Sequence, residues 1–263
     1  MTTGAELPAL DAAFRWSREG WGVALRCRPL EEFAQHLFTT RQLALRPFDA
    51  HGASWRAALA AVGGTPERFV RIKQVHGNIV HVARRDASDP VGPMTEADAV
   101  VSNAPGLVVG VQVADCVPLL LADKQSGAVA AVHAGWRGTV AGIAQAAVRT
   151  LVREFGVDTA DIVAAMGPSI GRCCYEVGPE VKDAFRRAGA TKAQIDAWFV
   201  AGTAGHSWLD LWSVNQDQLI AAGVPPTQVH LSRLCTKTHL AWFDSYRADG
   251  ANSGRMAALI RVP

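Results

Sequence analysis

Leu107-Val108-Val109-Gly110-Val111-Gln112-Val113-Ala114-Asp115-Cys116-Val117-Pro118-Leu119-Leu120-Leu121-Ala122 is the longest apolar run in the sequence. Gln112, Asp115 and Pro118 interrupt it, and it is too short and too polar to cross a bilayer. It reads as two buried strands, 107–114 and 117–121, with a break at Asp115-Cys116. Similar apolar stretches flank it at 97–102 and 128–132. Beyond the second lies a helical pattern over 139–155, with Ile143, Ala147, Leu151 and Phe155 on one face and Gly156 as a stop.

Working outward, further strands are expected at 23–28, 162–166, 229–231, 242–246 and 256–262. Residues 69–82 read as a strand pair turning at Gly77-Asn78. Helices are expected at 30–38, 54–62, 180–187, 192–199 and 214–222. Strands and helices are mixed without regular β-α-β alternation, no repeat is visible, and no Pro/Gly/Ser-rich linker divides the chain. The expected class is α+β (mixed α/β), as one domain over 1–263 with a partly disordered start at 1–18.

The 263 residues are 49% hydrophobic and 19% charged, which excludes bulk disorder. Net charge is +2 (26 basic against 24 acidic residues), too small to imply a nucleic-acid or polybasic membrane partner. The first 17 residues lack a basic segment followed by an apolar core, so a cytoplasmic location is expected. The five cysteines, at 27, 116, 173, 174 and 235, are odd in number and argue for reduced thiols rather than a disulfide framework.

Three ligand-type residues stand at strand ends beside small residues: His76 before Gly77, Cys116 after Asp115, and His133 opening His133-Ala134-Gly135-Trp136-Arg137-Gly138. Their separations, 40 residues (76 to 116) and 17 (116 to 133), belong to different strands of a sheet and not to a zinc finger. Imidazole and thiolate are good zinc ligands, and three protein ligands leave a fourth position open. The plain alternatives are a small hydrophobic Cys on a buried strand and a hydrogen-bonded turn His. Asp115 points to the opposite face from Cys116 and is a candidate substrate group.

The glycine turn at 133–139 could present backbone N–H groups and Arg137 to an anion, or simply reverse the chain and pack Trp136. Cys173-Cys174-Tyr175-Glu176 reads as a substrate loop, a redox pair or a plain turn. Arg247 and Arg255 flank a turn and could clamp an oxyanion or lie on the surface.

Gln74-Val75-His76-Gly77, Ala97-Asp98-Ala99-Val100, Ala114-Asp115-Cys116 and His133-Ala134-Gly135-Trp136-Arg137-Gly138 resemble, in order and spacing, the YfiH-type laccase-domain (polyphenol oxidase) family. Gly167-Pro168-Ser169-Ile170, Cys174-Tyr175-Glu176-Val177-Gly178, Ser245-Tyr246-Arg247 and Gly254-Arg255 extend the resemblance over about residues 35–262. It implies a layered αββα sandwich and a metal site, usually zinc, on His76, Cys116 and His133, with copper as an alternative occupant. It implies purine nucleoside phosphorolysis with adenosine deamination. Nucleoside and phosphate are then the partners, with a monomer the working expectation. Asp115 and Cys174 become catalytic candidates, and Arg41, Arg137 and Arg255 candidates for binding substrate or phosphate. Around Arg41 the sequence departs from the family pattern, with Gln42-Leu43 where a glycine pair is usual.

Two other activities compete. A four-copper phenol oxidase needs paired histidines, and the eight histidines include no His-x-His pair. A hydrolase with Cys116 as nucleophile and His133 as base, editing a cell-wall precursor, would use the same residues.

Overall fold

The computed structural model of the chain describes residues 6–45, 52–84 and 94–263. In chain order the strands are β1 (Phe14–Glu19), β2 (Gly22–Cys27), β3 (Gln35–Thr39), β4 (Phe69–Val70), β5 (Val80–Val82), β6 (Ala99–Ser102), β7 (Val108–Val113), β8 (Val117–Asp123), β9 (Val129–Ala134), β10 (Ile162–Met166), β11 (Glu176–Val177), β12 (Phe199–Ala201), β13 (Ser207–Leu209), β14 (Val229–Leu231) and β15 (Met256–Arg261). The helices are α1 (Arg28–Glu31), α2 (Ala53–Ala60), α3 (Trp136–Val140), α4 (Ile143–Phe155), α5 (Pro179–Arg187), α6 (Lys192–Trp198), α7 (Leu211–Ala221) and α8 (Tyr246–Asp249).

One mixed sheet runs β1-β2-β3-β15-β7-β4 and a second runs β14-β10-β8-β9-β6-β5, with a small β11-β13-β12 sheet beside them. Successive strand residues point to opposite faces, and the sequence of β8 obeys this on both sides. Leu120 and Ala122 join Val109, Val111, Ala258 and Ile260 in the core between the sheets. Leu119 and Leu121 turn outward to pack with Ile143, Ala147 and Leu151 of α4 and Leu219 of α7. On the far side Trp55 and Leu59 of α2 cover Leu37, Val108 and Leu259. The layering is α-β-β-α, in the α+β class. Both faces of β8 and β9 are buried, which explains their near-continuous apolar sequence.

Several elements differ from expectation, each for a local reason. Residues 30–38 are not one helix: α1 ends at Glu31, and residues 35–38 are strand because they pair with β15. Residues 69–82 are not a strand pair: β4 belongs to the first sheet and β5 to the second, and 71–79 cross between them. The 139–155 helix starts earlier and breaks where the backbone turns left-handed at Gly142 (φ 78°). Residues 242–246 form no strand; the N–H groups of Trp242 and Phe243 turn back to the His239 carbonyl, and α8 follows. Of the expected disordered start, residues 14–18 are most of β1, while 1–5 lie outside the described residues. Among the described residues no helix is long and apolar enough to cross a membrane.

Leu120 is wholly buried between the sheets. Leu120→Ala is expected to destabilise the fold by about 2–5 kcal/mol. Chemical denaturation should show a lower midpoint with an unchanged slope; an unshifted midpoint would contradict the two-sheet core.

Candidate metal centre

β8 and β9 are antiparallel neighbours, and their register sets Val117 opposite Ala134 and Pro118 opposite His133. Cys116, immediately before β8, therefore lies at the same end of the hairpin as His133. His76 arrives from the 71–79 crossing. Gln74 braces that crossing: its side-chain amide donates to the Gln112 carbonyl and accepts the Gln112 N–H, both at 2.8 Å.

The Asp98 carboxylate finishes the turn. Its Oδ2 accepts N–H bonds from Val75 (3.2 Å) and Gly77 (2.6 Å), and its Oδ1 accepts the His76 N–H at 2.9 Å. The same Oδ1 is 2.8 Å from His133 Nδ1. His76 is held at φ 62°, a left-handed conformation that costs a non-glycine residue about 1–3 kcal/mol. Three successive N–H groups bonded to one carboxylate supply the restraint. With Nδ1 engaged by Asp98, His133 turns Nε2 toward Cys116 and His76, as orienting partners do for metal-binding imidazoles.

The donor atoms of His76, Cys116 and His133 all lie within 4.8 Å of one another. The two imidazole rings meet edge to face, with centroids 4.8 Å apart. His76 is exposed, Cys116 half-buried and His133 only 4% exposed, so the group opens to one side. Gly135 packs directly against the group: a Cβ there would stand 2.9 Å from Cys116 Sγ and 3.0 Å from His76 Cδ2. Two nitrogens and one sulfur around a tetrahedral zinc would sit roughly 3.3–3.6 Å apart, from the usual bond lengths. The set fits one borderline-soft ion.

The electrostatics agree. Burial raises the Cys116 thiol, but the charge of His133 and hydrogen bonds from His133 and His76 outweigh it and bring it down to about 6. Burial lowers His133, but the charge of Cys116 and the hydrogen bond to Asp98 raise it to about 9. Without an ion the pair rests as thiolate and imidazolium, so the sulfur is already in its ligating form. Burial pushes Asp98 up, and its bonds to His133 and the turn N–H groups hold it below the usual carboxylate range.

The group forms the floor of a pocket of about 590 Å³. Arg137 and Arg255 line it, joined by Arg247, Trp136, Tyr175 and Tyr246. Of the other expected residues, Asp115 reaches the pocket and Cys174 and Arg41 do not. Asp115 lines the pocket, but its carboxylate accepts Thr236 Oγ1–H at 2.5 Å and the Arg247 N–H at 2.6 Å, so it ties two loops together. Cys174 lies outside this pocket, in a separate thiol cluster with Cys173 and Cys235. Arg41 also lies outside it, donating to the Leu240 carbonyl and facing Asp244 at 3.6 Å.

Asp98 is the residue that ligand counting overlooks. Its signal was a lone carboxylate against an apolar strand, a charge that can be buried only with partners. Among the described residues the remaining histidines do not assemble into a second centre. His36 is buried against Cys27 N–H and the Ala34 carbonyl, and His206 faces Glu176. Among the described residues no further histidine joins His76 and His133 in such a group.

An αββα protein with a His–Cys–His donor set is what fold and site define. The chain belongs to the multi-copper polyphenol oxidoreductase laccase family, which matches residues 49–263. It is 42% identical over 165 residues to a Bacteroides thetaiotaomicron protein named purine nucleoside phosphorylase, covering 63% of this chain and 60% of that one. It is also 42% identical over 170 residues to an adenosine deaminase, RL5, from an unknown prokaryotic organism, covering 65% and 64%. These alignments span less than two thirds of each relative. The crystal structure of Bacillus licheniformis hypothetical protein YfiH superposes with a TM-score of 0.86 at 27% identity, covering 96% of this chain and all of that one.

If Asp98 sets the imidazole geometry, Asp98→Asn should weaken zinc binding about 10–100-fold. Competition with a chromophoric chelator measures this; unchanged affinity in the folded variant would remove Asp98 from that role.

Proposed function

We propose that the chain is a zinc-dependent purine nucleoside phosphorylase acting on adenosine, inosine and methylthioadenosine, with adenosine deaminase activity. The observation that carries this is a His–Cys–His donor set flooring a pocket whose walls combine flat rings with guanidinium groups. The names of the relatives support the same reading. Zinc bound by His76, Cys116 and His133 would supply Lewis-acid polarisation at the pocket floor.

The remaining roles belong to the chain itself. Trp136, Tyr175 and Tyr246 offer faces on which a purine can lie. Burial, reinforced by the Cys116 charge, pushes the Tyr175 phenol up, so it stays neutral and able to donate a hydrogen bond. The Arg137 guanidinium lies 4.4 Å from the Trp136 ring centroid, and that of Arg247 lies 5.1 Å from Tyr175. Each cation is thus positioned by an aromatic plane. Arg255 is fixed by donating Nη1 to the Ser253 and Gly254 carbonyls. These three cations suit a phosphate held against ribose C1′. A phosphate oxygen then bonds to C1′ as the C1′–N9 bond breaks, and the base leaves with the electron pair and takes up a proton. Asp115 acts through Arg247, whose backbone it anchors. In deamination, water adds at C6 of adenine and ammonia departs.

One observation favours a second reading. Cys116, His133 and Asp98 stand in the order nucleophile, base and orienting carboxylate. On that reading the protein is a cysteine hydrolase that needs no ion.

One assay separates the two. Zinc-loaded protein is incubated with inosine, with and without phosphate, and the products are separated by chromatography. Hypoxanthine and ribose 1-phosphate are expected only with phosphate. His133→Ala should reduce the rate at least about a hundredfold, as loss of several kcal/mol of charge stabilisation implies. Chelation should abolish turnover and zinc restore it, while iodoacetamide should modify Cys116 only after chelation. Phosphate-independent cleavage, or full activity in folded, metal-free His133→Ala, would overturn the proposal. Rapid alkylation of Cys116 itself with the ion in place, located by peptide mass mapping, would favour the hydrolase.

A further inference from the structure

The segment after β10 lies beside the segment after β14 through a parallel bridge between Ser169 and Cys235. Ser169 N–H donates to the Leu234 carbonyl at 3.1 Å, and Thr236 N–H to the Ser169 carbonyl at 3.0 Å. This pairing sets Cys235 against the turn that carries Cys173 and Cys174. The Gly171 N–H donates to Cys235 Sγ at 3.3 Å, and the sulfurs of Cys173 and Cys174 are 3.6 Å apart. All three sulfurs lie within 4.8 Å of one another. The turn closes this tightly because residue 171 has no side chain: a Cβ there would stand 2.9 Å from the Trp212 ring and 3.3 Å from both Cys173 Sγ and Cys235 Cβ. Cys173 and Cys235 face an open cleft of about 700 Å³ that shares no lining residue with the His–Cys–His pocket.

We propose that Cys173, Cys174 and Cys235 form a second cation site, separate from the first, that binds one thiophilic d¹⁰ cation through three thiolates. Sulfurs sharing one zinc-like ion at about 2.3 Å would be roughly 3.8–4.0 Å apart, within the spread of the cluster. An all-sulfur donor set selects soft cations over magnesium or calcium. On binding, each coordinating sulfur forms a bond to the ion, and any thiol among them first releases its proton to solvent. Three thiolates on a divalent ion carry one net negative charge, and Arg233 on the cleft wall offsets it, while Arg172 there faces Asp210 at 3.9 Å. The cleft is the entry path. A Cys173–Cys174 disulfide is disfavoured because adjacent cysteines cannot reach unstrained disulfide geometry. The site sits immediately before Tyr175, so an ion there would also stiffen one wall of the first pocket.

Cadmium(II) is the probe. The full chain, stripped of metal and fully reduced, is titrated anaerobically. Bound cadmium per chain and the ultraviolet sulfur-to-cadmium absorption are then measured. Two ions per chain are expected. Cys173→Ser/Cys235→Ser should bind one, with the absorption falling to about a quarter, since only Cys116 of four ligating thiolates remains. Cys173 is exposed, so Cys173→Ser alone leaves the core intact and should still lose the second equivalent. His133→Ala should keep the three-sulfur ion. Cadmium stoichiometry and sulfur-to-cadmium absorption that are the same in folded Cys173→Ser as in the unsubstituted protein would overturn the proposal.

Discussion

Asp98 carries a negative charge at a position with no solvent exposure. An unpaired carboxylate there would cost several kcal/mol and would protonate instead. It stays charged because three successive N–H groups of the 75–77 turn and the His133 imidazole surround it. The dependence runs both ways. The turn holds His76 in a left-handed conformation only because its N–H groups have that acceptor, and the His133 ring takes its orientation from the same oxygen. Both imidazoles of the site rest on one buried anion, and the sulfur rests on the β8–β9 register.

The two sheets explain why the site lies where it does. The 71–79 segment leaves the first sheet and joins the second, so its turn crosses the end of the seam between them. β7 ends and β8 begins there, and β15 starts opposite the end of β7, with Met256 beside Val113. That register brings Arg255, one residue earlier, to the pocket rim. Asp115, at φ 83°, ties the start of β8 to Thr236 and to the backbone of Arg247. The C-terminal loops thereby close over a floor laid by the central hairpin.

Much of this was legible in the sequence. The apolar runs at 107–122 and 128–132 marked the central strands, because strands buried on both faces need no polar alternation. His76, Cys116 and His133 stood out as ligand-type residues at strand ends beside small neighbours. The errors share a cause. Val70, Ile72, Val75 and Val80 alternate as a strand does, yet the N–H groups of 75–77 belong to Asp98, more than twenty residues away in sequence. Residues 242–246 are apolar enough for a strand, but Trp242 and Phe243 are buried from a turn. Asp115 was a candidate catalytic or substrate group and Arg41 a candidate for binding substrate or phosphate. Each is engaged by partners distant in sequence that no local pattern reveals. Cys174 was drawn toward the site by its motif, while its nearest chemical neighbours are two other thiols.

The central claim is convergence of two imidazoles and one thiolate on a single ion. An anomalous difference map at the zinc edge, from crystals of protein purified without chelator, tests it most directly. The account predicts a peak about 2.0–2.1 Å from one nitrogen each of His76 and His133 and about 2.3 Å from Cys116 Sγ. A map with no peak among these three side chains, in protein shown by analysis to carry zinc, would contradict it.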